Sequence, residues 1–166
     1  MKNLSSVCGN GTSVVIPQIS QSVGPEVDYE AELAVIISKA CKNVSKNDAL
    51  SYVLGYSCAN DISARKWQGQ TLGGGQWCFS KSFDTFCPLG PMLVSPSIIR
   101  NPNSLSISLT LNGNLVQNSN TSDMLFDVPS IISFLSQGTT LLPGTVILTG
   151  TPEGFLFFSF SFNLLF

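Results

Sequence analysis

VDYEAELAVII, at residues 27–37, is the stretch that decides how the rest of this sequence is interpreted. Its apolar run at residues 33–37 predicts a buried β-strand. Asp28, Glu30 and Glu32 alternate with their neighbours, so a strand places all three carboxylates on one side. Removing carboxylates from water costs several kcal/mol unless a positive group lies beside them. The stretch therefore predicts a core strand with a compensating cation next to Glu30 and Glu32.

The composition limits which functions the chain can have. Its 166 residues predict one domain with a substantial core, and its net charge of −2 argues against nucleic acid or an acidic membrane surface as a partner. The absence of histidine removes the commonest general base and transition-metal ligand. Five cysteines without a CxxC pair indicate reduced intracellular thiols, and no export or transit signal is visible at the start.

The pattern along the chain predicts a mainly β, α+β fold with a few short helices. Strong local signals are the Asn112-Gly113 turn after an alternating run, and a helix with Pro129 in its first turn. The other predicted elements are strands at residues 14–16, 27–38 and 56–60, a helix at 45–55, a helical turn at 61–68, a loop at 69–77 and a buried strand after Pro143-Gly144. Residues 155–166 hold six phenylalanines and no charge, which predicts a terminal strand with a tendency to aggregate.

Asp61 adds a third acid at the end of a predicted strand, where functional sites are commonly built. Glu30, Glu32 and Asp61, without histidine or a CxxC pair, are a set of hard oxygen ligands suited to Mg²⁺, Mn²⁺ or Ca²⁺. The alternative is that the E-x-E pattern marks a solvated strand edge. From these residues alone both interpretations stay open.

Arg65 and Gln68 follow Asp61 at +4 and +7, spacings that share one face of a helix. Arg65 is suited to bind a substrate carboxylate through two parallel hydrogen bonds, with Gln68 adding a directional one. The alternative is an ordinary Asp61–Arg65 pair at the surface. Lys81, taken alone, has the pattern of a surface lysine.

Four motifs together resemble the fumarylacetoacetate hydrolase domain family, and most closely its oxaloacetate tautomerase branch. They are VDYEAELAVII (27–37), GYSCANDISARKWQ (55–68), SKSFDTFCPLGP (80–91) and NLVQNSNTSDMLFDVPSIISFLSQGTTLLPGTVILTGTPEG (114–154). The resemblance implies a mixed β-roll, a homodimer and a bound Mg²⁺ or Mn²⁺. It places the metal ligands at Glu30, Glu32 and Asp61, the catalytic and substrate-binding groups at Lys81, Arg65 and Gln68, and a further substrate contact at Thr151.

The resemblance implies residues 1–154 as a catalytic domain that is incomplete, and residues 155–166 as an atypical tail. The family carries an N-terminal lid with a His–Glu pair and a different segment after TGTPEG, so truncation at both ends is expected. The implied compartment is mitochondrial or cytoplasmic.

The implied substrate is a small dicarboxylate or β-diketo acid that chelates the metal, which then stabilises an enolate. An enolate can lead to tautomerisation, decarboxylation or hydrolytic C–C cleavage. Hydrolysis needs a base to activate water, and this chain has no histidine, so tautomerisation ranks first and hydrolysis second. The alternative of another class is an inactive relative that only binds metal or dimerises.

Overall fold

The computed structural model describes residues 1–24 and 26–154, and these are mainly β with a few short helices, as predicted. The strands are β1 Val7–Gly9, β2 Val27–Asp28, β3 Ala31–Ile37, β4 Val53–Asn60, β5 Ser63–Ala64, β6 Cys87–Val94, β7 Ser106–Leu111, β8 Asn114–Asn120 and β9 Val146–Leu148. The α-helices are α1 Gln18–Gln21, α2 Arg65–Gln68, α3 Gln70–Gly73, α4 Trp77–Ser80 and α5 Val128–Leu135, and 3-10 turns lie at Leu4–Ser6, Ala49–Tyr52 and Thr121–Asp123. The strand predicted at residues 155–166 lies outside the described residues.

Two compact units make up the described chain. The first contains residues 1–30, 59–91 and 154, and the second contains residues 31–58 and 92–153. No helix among the described residues has the length and apolar content needed to cross a bilayer.

The first unit is built from short strand pairs around a small apolar centre. Strand β1 pairs with β6 in parallel, and β2 pairs with β5 antiparallel with Asp28 opposite Ser63. Ile62, Ala64 and Phe86 are fully buried beneath these pairs. Trp67, Phe79, Phe83 and Phe86 form a chain of edge-to-face ring contacts with centroids 5.0 to 5.3 Å apart. This centre fixes the backbone that follows Asp61.

The second unit carries the larger core. Strand β3 pairs antiparallel with β9, and β7 and β8 form the hairpin predicted from Asn112-Gly113, with a β-bulge at Leu109/Thr110. Helix α5 also confirms its prediction. The Asp127 side chain caps it by accepting from the Ser130 N–H at 2.9 Å, and Val128 and Ile132 pack into the core.

Residues 27–37 form two strands instead of the one predicted. Strand β3 is almost wholly buried, as its apolar run predicts, but β2 ends at Asp28 and the chain leaves regular pairing at residues 29 and 30. Side chains take over the hydrogen bonding at the break. The Glu30 N–H donates to the Asn60 amide oxygen at 3.0 Å, and the Ala31 N–H donates to the Gln117 amide oxygen at 2.9 Å.

The helix predicted at residues 45–55 is wrong. The Ser45–Asp48 cap forms, with the Asp48 N–H donating to Ser45 Oγ at 3.2 Å, but it leads only into a 3-10 turn before β4 begins. Gly55 lies inside β4. A Cβ atom there would lie 2.7 Å from the Val94 carbonyl oxygen, so this glycine permits close approach of two strands and does not end a helix.

Three further boundaries differ from prediction. Residues 14–16 form no strand, and the predicted loop at 69–77 contains α3 and the start of α4. The helical turn at 61–68 is confirmed only for Arg65–Gln68. The residues before it are extended because β5 pairs with β2.

Candidate metal centre

Glu30 and Asp61, two of the predicted metal ligands, meet in the first unit. The Asp61 N–H donates to the Glu30 carbonyl oxygen at 2.8 Å, which ties the two backbones together. Both residues are buried, and a carboxylate oxygen of one lies within 4.8 Å of a carboxylate oxygen of the other. The interpretation of these acids as a solvated edge is therefore wrong, because neither carboxylate faces bulk water.

Lys81 supplies the positive charge between them. Its ammonium nitrogen lies 2.8 Å from Glu30 Oε2, 2.7 Å from Asp61 Oδ2 and 2.8 Å from Ser63 Oγ. The Lys81 side chain is only 12% exposed, so it is not a surface lysine. Lys81 directly follows α4 and forms its C-terminal cap. The Lys81 side chain is thus the compensating cation predicted beside Glu30.

Arg65 contacts two acids of the first unit, Asp28 and Glu30. Its Nε and Nη2 donate to Asp28 Oδ2 at 2.9 and 2.8 Å, and Nη1 donates to Glu30 Oε1 at 2.6 Å. Nη1 also donates to Gln68 Oε1 at 3.0 Å, so Arg65 and Gln68 are neighbours as predicted. Asp61 is not on their helix, because strand β5 intervenes, and the proposed Asp61–Arg65 surface pair is wrong. These Arg65 contacts are to side chains of the same chain, and its role as a substrate anchor stays a prediction.

Lys2 is a third buried cation that the sequence gave no reason to select. Its ammonium donates to the carbonyl oxygens of Ile62, Lys81 and Phe86 at 3.0, 2.5 and 2.6 Å, and its side chain is 9% exposed. It also lies 2.7 Å from Asp61 Oδ1. This contact is a buried ion pair between Lys2 and Asp61. Burial lowers the pKa of Lys2, and the nearby Asp61 carboxylate partly offsets this effect.

The charges of this cluster balance within the first unit. Asp28, Glu30 and Asp61 supply three negative charges, and Lys2, Arg65 and Lys81 supply three positive ones. Buried carboxylates require such partners to stay ionised. Each acid of the cluster therefore has a positive group beside it.

Glu32 and Thr151 lie in the second unit. Glu32 is buried at the start of β3, where its Oε2 accepts from the Gly150 N–H at 2.6 Å. It follows Glu30 by two residues in the sequence. Thr151 Oγ1 accepts from the Gln117 amide at 2.8 Å and lines a cavity of about 500 Å³. The assignment of Glu32 as a metal ligand and of Thr151 as a substrate contact stays a prediction.

Gln117 is a second residue that the sequence did not reveal. Its side chain is buried, and it joins the Ala31 N–H, the Thr151 hydroxyl and the Pro152 carbonyl oxygen through three hydrogen bonds of 2.8 to 2.9 Å. A single glutamine in an alternating strand carries no sequence signal for such a role. It aligns the start of β3 with the segment around Thr151.

The chemistry of the acids fits a hard divalent cation. Carboxylate oxygens are the ligands that Mg²⁺, Mn²⁺ and Ca²⁺ prefer. Glu30 and Asp61 also direct one carboxylate oxygen each toward a common point, since Oε2 and Oδ2 lie 2.8 and 2.7 Å from the same Lys81 nitrogen. Glu30 and Asp61 are close enough to share one ion.

Comparisons with a family model and with curated proteins point to the same family. The family model described as fumarylacetoacetate (FAA) hydrolase C-terminal matches residues 1–158. The chain is 49% identical over 153 residues to oxaloacetate tautomerase fahd2, mitochondrial, from Xenopus laevis, an alignment that covers 92% of this chain and 46% of that protein. The chain thus spans about half the length of the curated relatives it matches.

Two solved structures show the same fold. A 5-carboxymethyl-2-hydroxymuconate delta-isomerase from Mycobacterium smegmatis superposes with a TM-score of 0.84 at 38% identity, covering 93% of this chain and 57% of the other. Maleylpyruvate hydrolase from Sphingobium sp. SYK-6, in complex with manganese (II) ion and pyruvate, gives 0.79 at 38% identity, with 91% and 52% covered. Isomerases and hydrolases therefore share this architecture.

Proposed function

This chain belongs to the fumarylacetoacetate hydrolase family, and from that premise we propose that it acts as a divalent-metal-dependent oxaloacetate keto–enol tautomerase. The observation that carries the proposal is the buried Lys81 ammonium in contact with both Glu30 and Asp61. Buried acids beside a buried ammonium suit a reaction in which negative charge develops on a substrate oxygen. The identity to oxaloacetate tautomerases supports the choice of substrate.

We propose that Glu30, Glu32 and Asp61 hold Mg²⁺ or Mn²⁺, with Ca²⁺ as a further hard cation that the ligands accommodate. Such an ion would supply Lewis-acid polarisation of a 2-oxo acid. The manganese in the maleylpyruvate hydrolase structure supports this type of cofactor. Glu32 completes the set because it follows Glu30 by two residues and its carboxylate is buried.

The remaining site residues position and stabilise the substrate in this proposal. Lys81 donates a hydrogen bond from Nζ to the oxygen on which enolate charge develops, which favours the transition state over the bound keto form. Arg65 and Gln68 orient a substrate carboxylate, and the Asp28 contacts fix the guanidinium for that task. Thr151, beside the cavity, contacts the substrate through its hydroxyl.

Calorimetric titration with Mg²⁺ and with Mn²⁺ tests the metal site. We expect one ion per chain and no detectable binding to Glu32→Ala, because the third carboxylate is lost. Asp84→Asn is the matched control, since Asp84 is an exposed acid of the first unit and should leave binding unchanged. Equal affinity in Glu32→Ala and the parent protein removes these ligands from the proposal.

The reaction is tested by following the ultraviolet absorbance of enol-oxaloacetate with Mg²⁺ present. The protein should accelerate ketonisation, and Lys81→Met should slow it by about 100-fold or more, as for loss of an oxyanion-hole donor. Lys46→Met, which removes an exposed lysine of the second unit, is the control and should retain the parent rate.

C–C bond hydrolysis is the second candidate, and the maleylpyruvate hydrolase neighbour is the observation that favours it. Cleavage of acylpyruvates by a protein that leaves the oxaloacetate tautomers untouched would establish this alternative. Failure of both assays together with intact metal binding would support the third candidate, an inactive relative.

We also propose a homodimer and a mitochondrial location. The mitochondrial location is supported by the oxaloacetate tautomerase relatives, whose names describe them as mitochondrial. Light scattering coupled to gel filtration tests the first, and a monomer mass would contradict it.

A further inference from the structure

The Lys81 ammonium lies where an ion shared by Glu30 and Asp61 would have to lie. Its nitrogen is 2.8 Å from Glu30 Oε2 and 2.7 Å from Asp61 Oδ2. A divalent cation bound to the same two oxygens sits about 2.0 to 2.6 Å from each. Two cations at such short separation repel each other strongly, so the ammonium and the metal cannot both occupy the space between these carboxylates.

Lys81 differs from the two other buried cations in how it is held. Lys2 donates to three backbone carbonyls, which cannot rotate away. Arg65 begins helix α2 and donates twice to one oxygen of Asp28. The ammonium contacts recorded for Lys81 among the described residues are all to side-chain oxygens, on Glu30, Asp61 and Ser63. Of the three, Lys81 is the cation whose recorded acceptors, among the described residues, can all turn to another partner by side-chain rotation.

We propose that Lys81 is a built-in competitor of the metal, which it replaces in the metal-free protein and which displaces it on binding. This inference rests on the proposed metal site. The ammonium keeps Glu30 and Asp61 ionised and ordered while no metal is bound. Metal binding then frees the same ammonium to contact the substrate. Binding of the ion therefore also makes the lysine available for the reaction.

A purely structural role for Lys81 makes the opposite prediction about metal affinity. If the lysine only braces the two carboxylates, its loss leaves them disordered, and the ion binds more weakly because it must order them. If the lysine competes with the ion, its loss removes both the competitor and a repelling charge, and the ion binds more tightly. The sign of the change therefore separates the two roles.

The first experiment measures Mn²⁺ affinity by calorimetry for the parent protein, Lys81→Met and Lys46→Met. We expect Lys81→Met to bind Mn²⁺ at least about tenfold more tightly, as loss of a nearby like charge in a buried site implies. Lys46→Met, which alters an exposed lysine paired with Asp127, should bind as the parent does. Unchanged or weaker binding in Lys81→Met overturns the proposal.

A second experiment uses the unaltered protein, so that it does not depend on a variant that folds. Reductive methylation with and without Mn²⁺, followed by peptide mass spectrometry, reports the accessibility of each lysine. We expect Mn²⁺ to increase methylation of Lys81 while Lys2, held by carbonyls, stays protected in both states. Equal methylation of Lys81 in a protein that binds Mn²⁺ overturns this inference alone. Failure of the parent protein to bind Mn²⁺ overturns the proposed function as well.

Discussion

Replacing Lys2 with methionine should destabilise the first unit, and the structure sets the size of the effect. The change keeps a linear side chain but removes a buried charge from beside Asp61 and a donor from three carbonyl oxygens. Removal of one partner from a buried ion pair costs about 3–5 kcal/mol. Burial lowers the pKa of Lys2, so the folded protein already carries a cost for the charged ammonium. We therefore expect a loss of stability at the lower end of this range of about 3–5 kcal/mol. A loss of about 3 kcal/mol in a chain of this length lowers the unfolding midpoint by about 6–12 °C.

Thermal unfolding followed by near-ultraviolet circular dichroism measures this loss, because Trp67 and the phenylalanines of the aromatic chain report on the first unit. Lys46→Met is the matched control. Lys46 pairs with Asp127 through a side chain that is 56% exposed, and exposed pairs contribute about 0–1 kcal/mol. The reasoning is refuted if Lys2→Met and Lys46→Met shift the midpoint equally, since burial of the charge would then make no difference.

Three further outcomes are expected. Asp127→Ala should cost about 1 kcal/mol by removing the α5 cap, while Asp127→Asn keeps the cap. The hydrogen bond from Ser130 and the Lys46 contact lower the pKa of Asp127. The stability that depends on the Asp127 charge is therefore fully present above about pH 3.8 and is lost as the pH falls through the lower folded-state pKa. Acid titration of the two variants would show this loss. Gly55→Ala should destabilise by about 1–3 kcal/mol in chemical denaturation, because its Cβ would meet the Val94 carbonyl; a neutral result would contradict the close strand approach. Replacing residues 155–166, which hold six phenylalanines, with a charged family-type segment should reduce light scattering on heating. Unchanged scattering would show that these phenylalanines do not cause aggregation.

The parts of the fold that sequence predicted correctly depend on neighbouring residues. Asn112-Gly113 adopts positive φ at both positions, which is what a tight hairpin turn requires, and the signal is complete within two residues. Asp127 and Pro129 likewise mark the start of α5 without help from distant segments. The Ser45–Asp48 cap was also correct locally, but strand pairing from Val53 onward overrode the helix that it predicted.

The residue pattern alone predicted the acids of the candidate site and Arg65, but not its lysines. Glu30 and Asp61 stood out because carboxylates in apolar strands are unusual. Lys81 was selected only through the family resemblance and Lys2 not at all, since Lys81 is 51 residues from Glu30 and Lys2 is separated from the carbonyl of Phe86 by 84 residues. Such contacts are created by the tertiary fold, and a single sequence holds no periodicity that reports them.

Strand β3 has a consequence for how fast an ion can be exchanged. Ala34, Val35 and Ile37 are fully buried on both faces, so the amides of this strand should be among the slowest in the chain to exchange with deuterium. Glu32 is attached to that backbone, and Glu30 directly precedes it. If Glu30 and Glu32 hold an ion as proposed, their backbone therefore stays in place while the side chains rotate. We then expect loss and uptake of the ion to need no local unfolding, with rates set by rotamer changes and by water exchange on the ion.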